Sequence, residues 1–242
     1  MESTTIELLR VTKDFGATLK PGPAVEAGPE SVVTDDDFAE VGADAGLNGP
    51  MVADLLASMA AHENLGTNLY RMLARTSDNP MLVSTFKEFE ADSITAVQAY
   101  RRLFEALGVP WRYVSPAARM TEAMDGKLQE AFLLSGSADP VTVELKRVEA
   151  VLLAATLCVA NGAILRQLAD SISDGPTKQA LEAALAELEP LATAHLEWAA
   201  ETQMVMAVGQ AQSTLMQKGA MATESVVGAA KDVAKRVKDA LT

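Results

Sequence analysis

The sequence is dominated by four long stretches in which apolar residues recur every three or four positions, the spacing of one face of an α-helix. They cover about residues 50–75, 81–107, 141–173 and 177–213. Two similar short turns, Ser-Asp-Asn-Pro at 77–80 and Ser-Asp-Gly-Pro at 173–176, join the first pair and the second pair. Because a short turn forces neighbouring helices to run antiparallel, the pattern predicts two helical hairpins.

A long connection, residues 108–140, separates the two hairpins and contains a shorter helical pattern at 117–134. A connection of this length lets the chain cross from one end of a bundle to the other. The sequence therefore predicts an all-α fold in which residues 50–213 form a four-helix bundle with one long crossover.

The two ends of the chain differ from this central region. Residues 1–49 are punctuated by Pro and Gly and carry ten acidic against three basic side chains, which predicts an arm or linker. Residues 214–242 are predicted to be a C-terminal amphipathic helical extension. Three alternatives stay open for it: packing on its own domain or a dimer mate, docking on another protein, or membrane binding, which the lack of large aromatic anchors disfavours. Its apolar stripe contains Val226, Val227, Ala230, Val233, Val237 and Leu241.

Composition excludes several classes of function. The net charge of -13 argues against a nucleic-acid partner, because phosphate binding needs a basic surface. One Cys and two His exclude an internal disulfide, a multi-Cys zinc site and a His-rich metal centre. The chain starts without the pattern of a secretory signal, and its most apolar run, 150–160, is about half of the ~20 residues that cross a bilayer. We therefore predict that this run is a buried helix of a soluble protein, which we expect to be cytoplasmic.

Polar side chains interrupt the apolar face of each long helix near its midpoint. Glu63, preceded by His62, lies in the first helix, Glu90 in the second, Asn161 in the third and His195 in the fourth. Carboxylates and imidazoles that converge inside a bundle are the side chains that bind metal ions there. These five residues are the candidate site.

Local sequences around these residues resemble the ferritin-like superfamily. They are Ala-His-Glu-Asn at 61–64 with Tyr70 seven residues after the Glu, the second-helix stretch 86–93, and His-Leu-Glu-Trp at 195–198. The stretches are similar to bacterioferritins and rubrerythrins and, around 123–140, to bacterial stress-response members. The resemblance implies a site for two iron ions, in which Glu63, Glu90 and His195 occupy ligand positions.

Three of the six ligand positions that the resemblance implies hold other residues. Ser93 stands at a His position, Ala192 stands at a Glu position, and the third-helix position holds Cys158 or Asn161. Since neither Ser nor Ala supplies a charge-neutralising carboxylate, the sequence predicts no ferroxidase or oxygenase activity.

The remaining residues allow three interpretations. Glu63, Glu90 and His195 could hold a single Fe, Mn or Zn ion, or they could form a buried polar cluster, or a shifted helix register could leave one Glu exposed. The function predicted first is a non-catalytic assembly or partner-binding protein without a cofactor. We expect it to be a homo-oligomer, a dimer or larger, whose segments 1–49 or 219–242 bind a protein partner. The alternatives are a divergent carboxylate–His metal protein with a redox or storage role, and a bundle that binds a small apolar molecule.

Overall fold

A computed structural model of the chain describes residues 38–111, 113–133 and 139–216, and in these residues it is helical and contains no β-strand. The all-α prediction is confirmed, and the helices lie within a few residues of the predicted ranges. Residues 1–37 of the predicted arm and most of the predicted C-terminal extension, 217–242, lie outside the described residues. The helices are α1 (Gly49–Thr76), α2 (Pro80–Leu107), α3 (Pro116–Leu133), α4 (Pro140–Ser171) and α5 (Pro176–Met216).

Side-chain caps explain where three of the helices begin. Asn48 accepts a hydrogen bond from the backbone N–H of Met51 at the start of α1, and Asn79 accepts one from Met81 at the start of α2. Asp139 does the same for Thr142 in α4. Each cap satisfies a backbone donor that has no partner within its helix. Each is followed by a proline in the first turn, where the missing N–H does no harm.

The helices pack as two hairpins side by side. Helix α1 contacts α2, and α4 contacts α5, as the short turns predict. Helix α1 also lies against α4, α2 lies against α5, and α3 packs on the outside of α1. Burial of the apolar faces between the helices is the main stabilising contribution. The core is formed by fully buried side chains from all four long helices, among them Leu56, Leu73, Phe86, Phe104, Leu165, Leu181 and Leu185.

The segment that precedes α1 packs on the helices from Phe38 onward. The Phe38 ring is buried, with its centre 4.6 Å from that of Tyr113. Gly49 allows this close approach, because a Cβ atom there would lie 1.9 Å from the Phe38 carbonyl oxygen. Asp44 accepts a hydrogen bond from the backbone N–H of Thr177 (3.1 Å) and so caps α5. The predicted domain boundary at residue 49 stays a prediction.

A buried ion pair on α4 holds the turn between α1 and α2. The carboxylate of Glu144 accepts hydrogen bonds from the Ser77 hydroxyl (2.9 and 3.0 Å) and the Asp78 backbone N–H (2.8 Å). Arg147 donates to the same carboxylate over 2.6 Å, and both side chains are buried. Glu144 therefore links the first hairpin to the second.

Helix α4 is the most apolar of the described helices. Within the described residues it alone is long and apolar enough to cross a membrane, by length and composition. Core helices of soluble proteins meet the same criterion, and part of α4 is buried here.

Candidate functional site

His195 on α5 lies in a buried aromatic environment and uses both of its ring nitrogens in hydrogen bonds. Its ring centre is 3.8 Å from that of Phe89. Nε2–H donates to Asp92 Oδ2 over 3.1 Å, and the Tyr70 hydroxyl donates to Nδ1 over 3.2 Å. Burial lowers the pKa of His195, against the opposing effect of Asp92. A neutral imidazole fits both bonds, because it has one donor and one acceptor nitrogen.

His62 on α1 has an environment that favours the opposite protonation state, the imidazolium. Its Nε2 lies 3.0 Å from the backbone carbonyl oxygen of Ala154, and its Nδ1 lies 2.6 Å from Asp125 Oδ2. Both partners are acceptors, so both nitrogens must donate, as only an imidazolium can. Burial lowers the pKa of His62, but the hydrogen bond and the charge of Asp125 outweigh it, and the net pKa is raised. The His62–Asp125 pair joins α1 to α3, and the hydrogen bond from His62 to the Ala154 carbonyl oxygen joins α1 to α4.

Glu63 lies next to His62 in the interior, where it contacts the Cys158 thiol. Burial raises the pKa of Glu63, although the positive charge of His62 and a hydrogen bond from Cys158 oppose the rise. Burial and the nearby Glu63 carboxyl raise the pKa of the Cys158 thiol well above its usual range. Since the thiolate is the nucleophilic form, Cys158 is a packed thiol rather than a reactive one.

The other two candidates are Glu90 and Asn161. Arg71 Nε donates to Glu90 Oε1 over 2.7 Å, so the Glu90 carboxylate is part of a partly exposed ion pair between α1 and α2. Asn161 is buried on α4. Asp92, two residues after Glu90, is the carboxylate that reaches His195.

The described residues contain no group of three or more His, Cys, Asp or Glu side chains arranged to hold a metal ion. A metal at His62 or His195 would displace a hydrogen bond, because each imidazole already uses both nitrogens. In this structure Glu90 pairs with Arg71 and His195 with Asp92, and the single-ion site at Glu63, Glu90 and His195 stays a prediction.

Comparison of the chain with models of protein families, with curated proteins and with solved structures found no match. The function has to be argued from the geometry of this molecule.

Sequence reasoning missed the partners of both histidines. Asp125 lies 63 residues from His62, in the connection where no ligand was expected. Its pairing depends on how α3 packs along α1, which no local pattern encodes. Asp92 lies on α2 beside two other acidic residues, Glu88 and Glu90, and the sequence does not show which of the three faces α5.

A second feature with binding potential is an apolar groove between α3 and α4. One end is a hollow of about 200 Å³ whose lining includes Leu128 and Phe132 of α3 and Val143 of α4. A smaller hollow of about 80 Å³ continues from it over α1, beside His62, and Leu128 and Leu153 line both. The two hollows form one trough, which we call the α3–α4 groove.

Exposed apolar side chains extend the groove along both helices. On α4, Leu153 (55% exposed), Leu157 (37%) and Ile164 (46%) share one helical face. On α3, Met120 and Met124 (66% and 67%) precede Leu128 at four-residue spacing and so lie on its face. Isolated exposed apolar residues are ordinary on a protein surface, but a contiguous row along a groove indicates a binding surface.

The buried carboxyl of Glu63 yields a test that separates packing from metal binding. Because burial raises the pKa of Glu63, the folded state favours the neutral carboxyl. The neutral carboxyl therefore contributes stability below the ordinary Glu pKa, and this contribution is lost as the pH rises through the folded-state pKa. We expect Glu63→Gln, which is neutral at every pH, to raise the free energy of unfolding at neutral pH. The gain in the free energy of unfolding should shrink in acid. Denaturant unfolding at neutral pH and in acid measures it.

A metal ligand at this position would give the opposite result. If Glu63→Gln lowered the stability at neutral pH, and lowered it further when metal salts were present, the carboxylate would be acting as a ligand. Cys158→Ala is the matched control, since it removes the neighbouring thiol and leaves the carboxyl in place.

Proposed function

We propose that this protein is a non-catalytic, ferritin-like four-helix bundle with one long crossover, which acts by binding a helical segment in the α3–α4 groove. Two antiparallel hairpins, contacts of α1 with α4 and of α2 with α5, and a long connection that contains α3 support this topology. Assembly or partner binding is then its biochemical role, and the interior polar residues stabilise the fold.

The observation that carries the proposal is the row of exposed apolar side chains along the groove. The stretch of α4 from Ala150 to Leu165 contains no charged residue, and its outer face remains open to solvent at Leu153, Leu157 and Ile164. Trough-shaped apolar surfaces between helices bind the apolar face of an amphipathic helix.

The polar interior supports a structural rather than a chemical role. Both imidazoles are engaged through both nitrogens, and Glu90 is paired with Arg71. The thiol of Cys158 has a raised pKa, so it is a poor nucleophile. Among the described residues, His62, His195 and Glu90 are therefore already committed to neighbouring side chains or backbone atoms.

Methionine oxidation inside cells that express the full-length chain tests whether the groove is covered. Met124 beside the groove is 67% exposed, and Met51 and Met81, outside it, are 58% and 80% exposed. Oxidation follows exposure, so an empty groove gives similar rates at all three sites. If a helix covers the groove, we expect Met124 to oxidise several-fold more slowly than the two control methionines, as peptide mass spectrometry would show.

Equal oxidation of Met124, Met51 and Met81 would contradict the proposed function. Leu157→Glu, which places a charge in the groove, should abolish the protection of Met124. Ile94→Glu on α2 is the matched control, because Ile94 is exposed to a similar degree (45%) outside the groove. Homo-oligomer formation and the cytoplasmic location stay predictions.

A further inference from the structure

We propose that the occupant of the α3–α4 groove is the C-terminal segment of the same chain, residues 219–242, bound as an amphipathic helix. The inference rests on the proposed function, because it names the helix that the groove would hold. It assigns to this segment a binding surface within its own chain, so a helical partner would compete with the segment for the groove.

The size of the groove suits this segment. From Val143 to Ile164 the α4 wall spans 21 helical steps, which is about 30 Å. The apolar stripe from Val226 to Leu241 would be about 22 Å long as a helix. Residues 217–242 contain no proline and no aromatic residue, and the stripe consists of Val, Ala and Leu. Small side chains allow a helix to lie close between two others.

The C-terminal end of α5 lies near the mouth of the groove. Val148, Val151 and Ala154 of α4 share a core cluster with Ala199 of α5, while Arg166 near the other end of α4 pairs with Glu189. The two helices therefore run antiparallel. Because α5 has 41 residues and α4 has 32, α5 ends beyond the start of α4. The wider hollow of the groove, at Thr142 and Val143, lies at this same end.

The intervening chain is long enough to make the connection. Residues 217–225 can span up to about 30 Å when extended. The path from the end of α5 across α4 is shorter, since packed helix axes lie only about 8–10 Å apart. A segment tethered this closely has an effective concentration on the order of millimolar, which favours its own groove over that of a second copy.

Charge favours the same occupant. Residues 217–242 carry five basic and three acidic side chains, whereas the chain as a whole has a net charge of -13. The segment is therefore attracted to the rest of the molecule. At the groove itself the charged lining residues are already paired, Lys146 with Glu149 and Asp125 with His62, so they do not oppose an apolar helix.

Site-specific photo-crosslinking in the purified full-length chain tests the inference. Benzoylphenylalanine replaces Leu157 in the groove, and in a control protein it replaces Ile94 on α2. We expect irradiation to join position 157 to a peptide from 219–242 within one chain, at a yield independent of protein dilution, and to give no such product from position 94. Circular dichroism checks that both proteins remain helical.

Two double substitutions within residues 219–242 test whether the apolar stripe is needed for the crosslink. Val233→Asp with Val237→Asp should abolish the crosslink from position 157, whereas Lys231→Ala with Lys238→Ala, off the apolar stripe, should leave most of it. A crosslink to a second chain, to residues 1–37, or to no protein would overturn the inference. If position 157 crosslinks elsewhere but Met124 is protected in cells, the proposed function stands and only the choice of residues 219–242 is wrong. Equal oxidation of Met124, Met51 and Met81 would contradict both the proposed function and this inference.

Discussion

Replacing Glu144 with alanine is expected to lower the free energy of unfolding by roughly 4 kcal/mol, because it leaves the buried guanidinium of Arg147 without its counter-charge. The change also removes the acceptor for the Ser77 hydroxyl and the Asp78 backbone N–H, so the turn between α1 and α2 loses its link to α4. Chemical denaturation monitored by circular dichroism measures the loss.

Glu149→Ala is the matched control for this prediction, since it breaks an ion pair of the same spacing on the same helix. Its pair with Lys146 is more exposed (59% and 35% for the two side chains, against 11% for each in the Glu144 pair), so its loss should change stability by less than about 1 kcal/mol. If Glu144→Ala and Glu149→Ala destabilised the chain equally, Glu144 would not be the link between the hairpins.

Replacing Asp125 with alanine is expected to cost roughly 3 kcal/mol near pH 6, because the His62 imidazolium would lose its buried partner. The side chains of His62 and Asp125 are only 5% and 16% exposed, so water can do little to compensate. Glu130→Ala, one turn further along α3, removes a surface ion pair instead and should change the stability by less than about 1 kcal/mol.

The pH dependence of this loss has a defined sign. The pKa of His62 is raised in the folded protein, so the pair contributes fully below the ordinary histidine pKa of about 6.5 and loses its contribution as the pH rises through the folded-state pKa. The difference between wild type and Asp125→Ala should therefore shrink as the pH rises above about 6.5. His195, whose pKa is lowered, titrates in both proteins and largely cancels from the difference. A difference that stayed constant with pH would show that His62 is neutral.

The helices could be predicted from the sequence because their signals are local. Apolar spacing and the caps Asn48, Asn79 and Asp139 act within one or two turns, and the structure places the helices where these signals lie. The short turns also fixed which helices pair as hairpins. The all-α class followed from the same features.

The partners of the interior polar residues could not be predicted, because they depend on packing between distant segments. His62 and His195 were correctly expected to lie inside, and both are buried. Their carboxylate partners are Asp125 and Asp92 rather than Glu90, which pairs with Arg71. Glu90 and Asp92 are two residues apart, about 200° around the helix, and the apolar spacing predicted that Glu90 rather than Asp92 faces inward.

The α3–α4 groove was not predicted from the sequence. The run 150–160 was expected to be a central helix, and α4 indeed buries Val148, Val151 and Leu165. The opposite face of the same run remains exposed because α3 packs on α1 and leaves a trough beside α4. A helix that is apolar on all sides does not reveal which side a neighbour will cover.

The most direct test of a structural rather than metal-binding interior is the metal content of the full-length protein, purified without chelator and equilibrated with Fe(II), Mn(II) or Zn(II). After removal of free metal, elemental analysis should find far less than stoichiometric metal, unchanged in Glu63→Ala and in His195→Ala. A stoichiometric ion in the wild type, lost in either variant, would contradict the account and establish the carboxylate–His site as a metal centre.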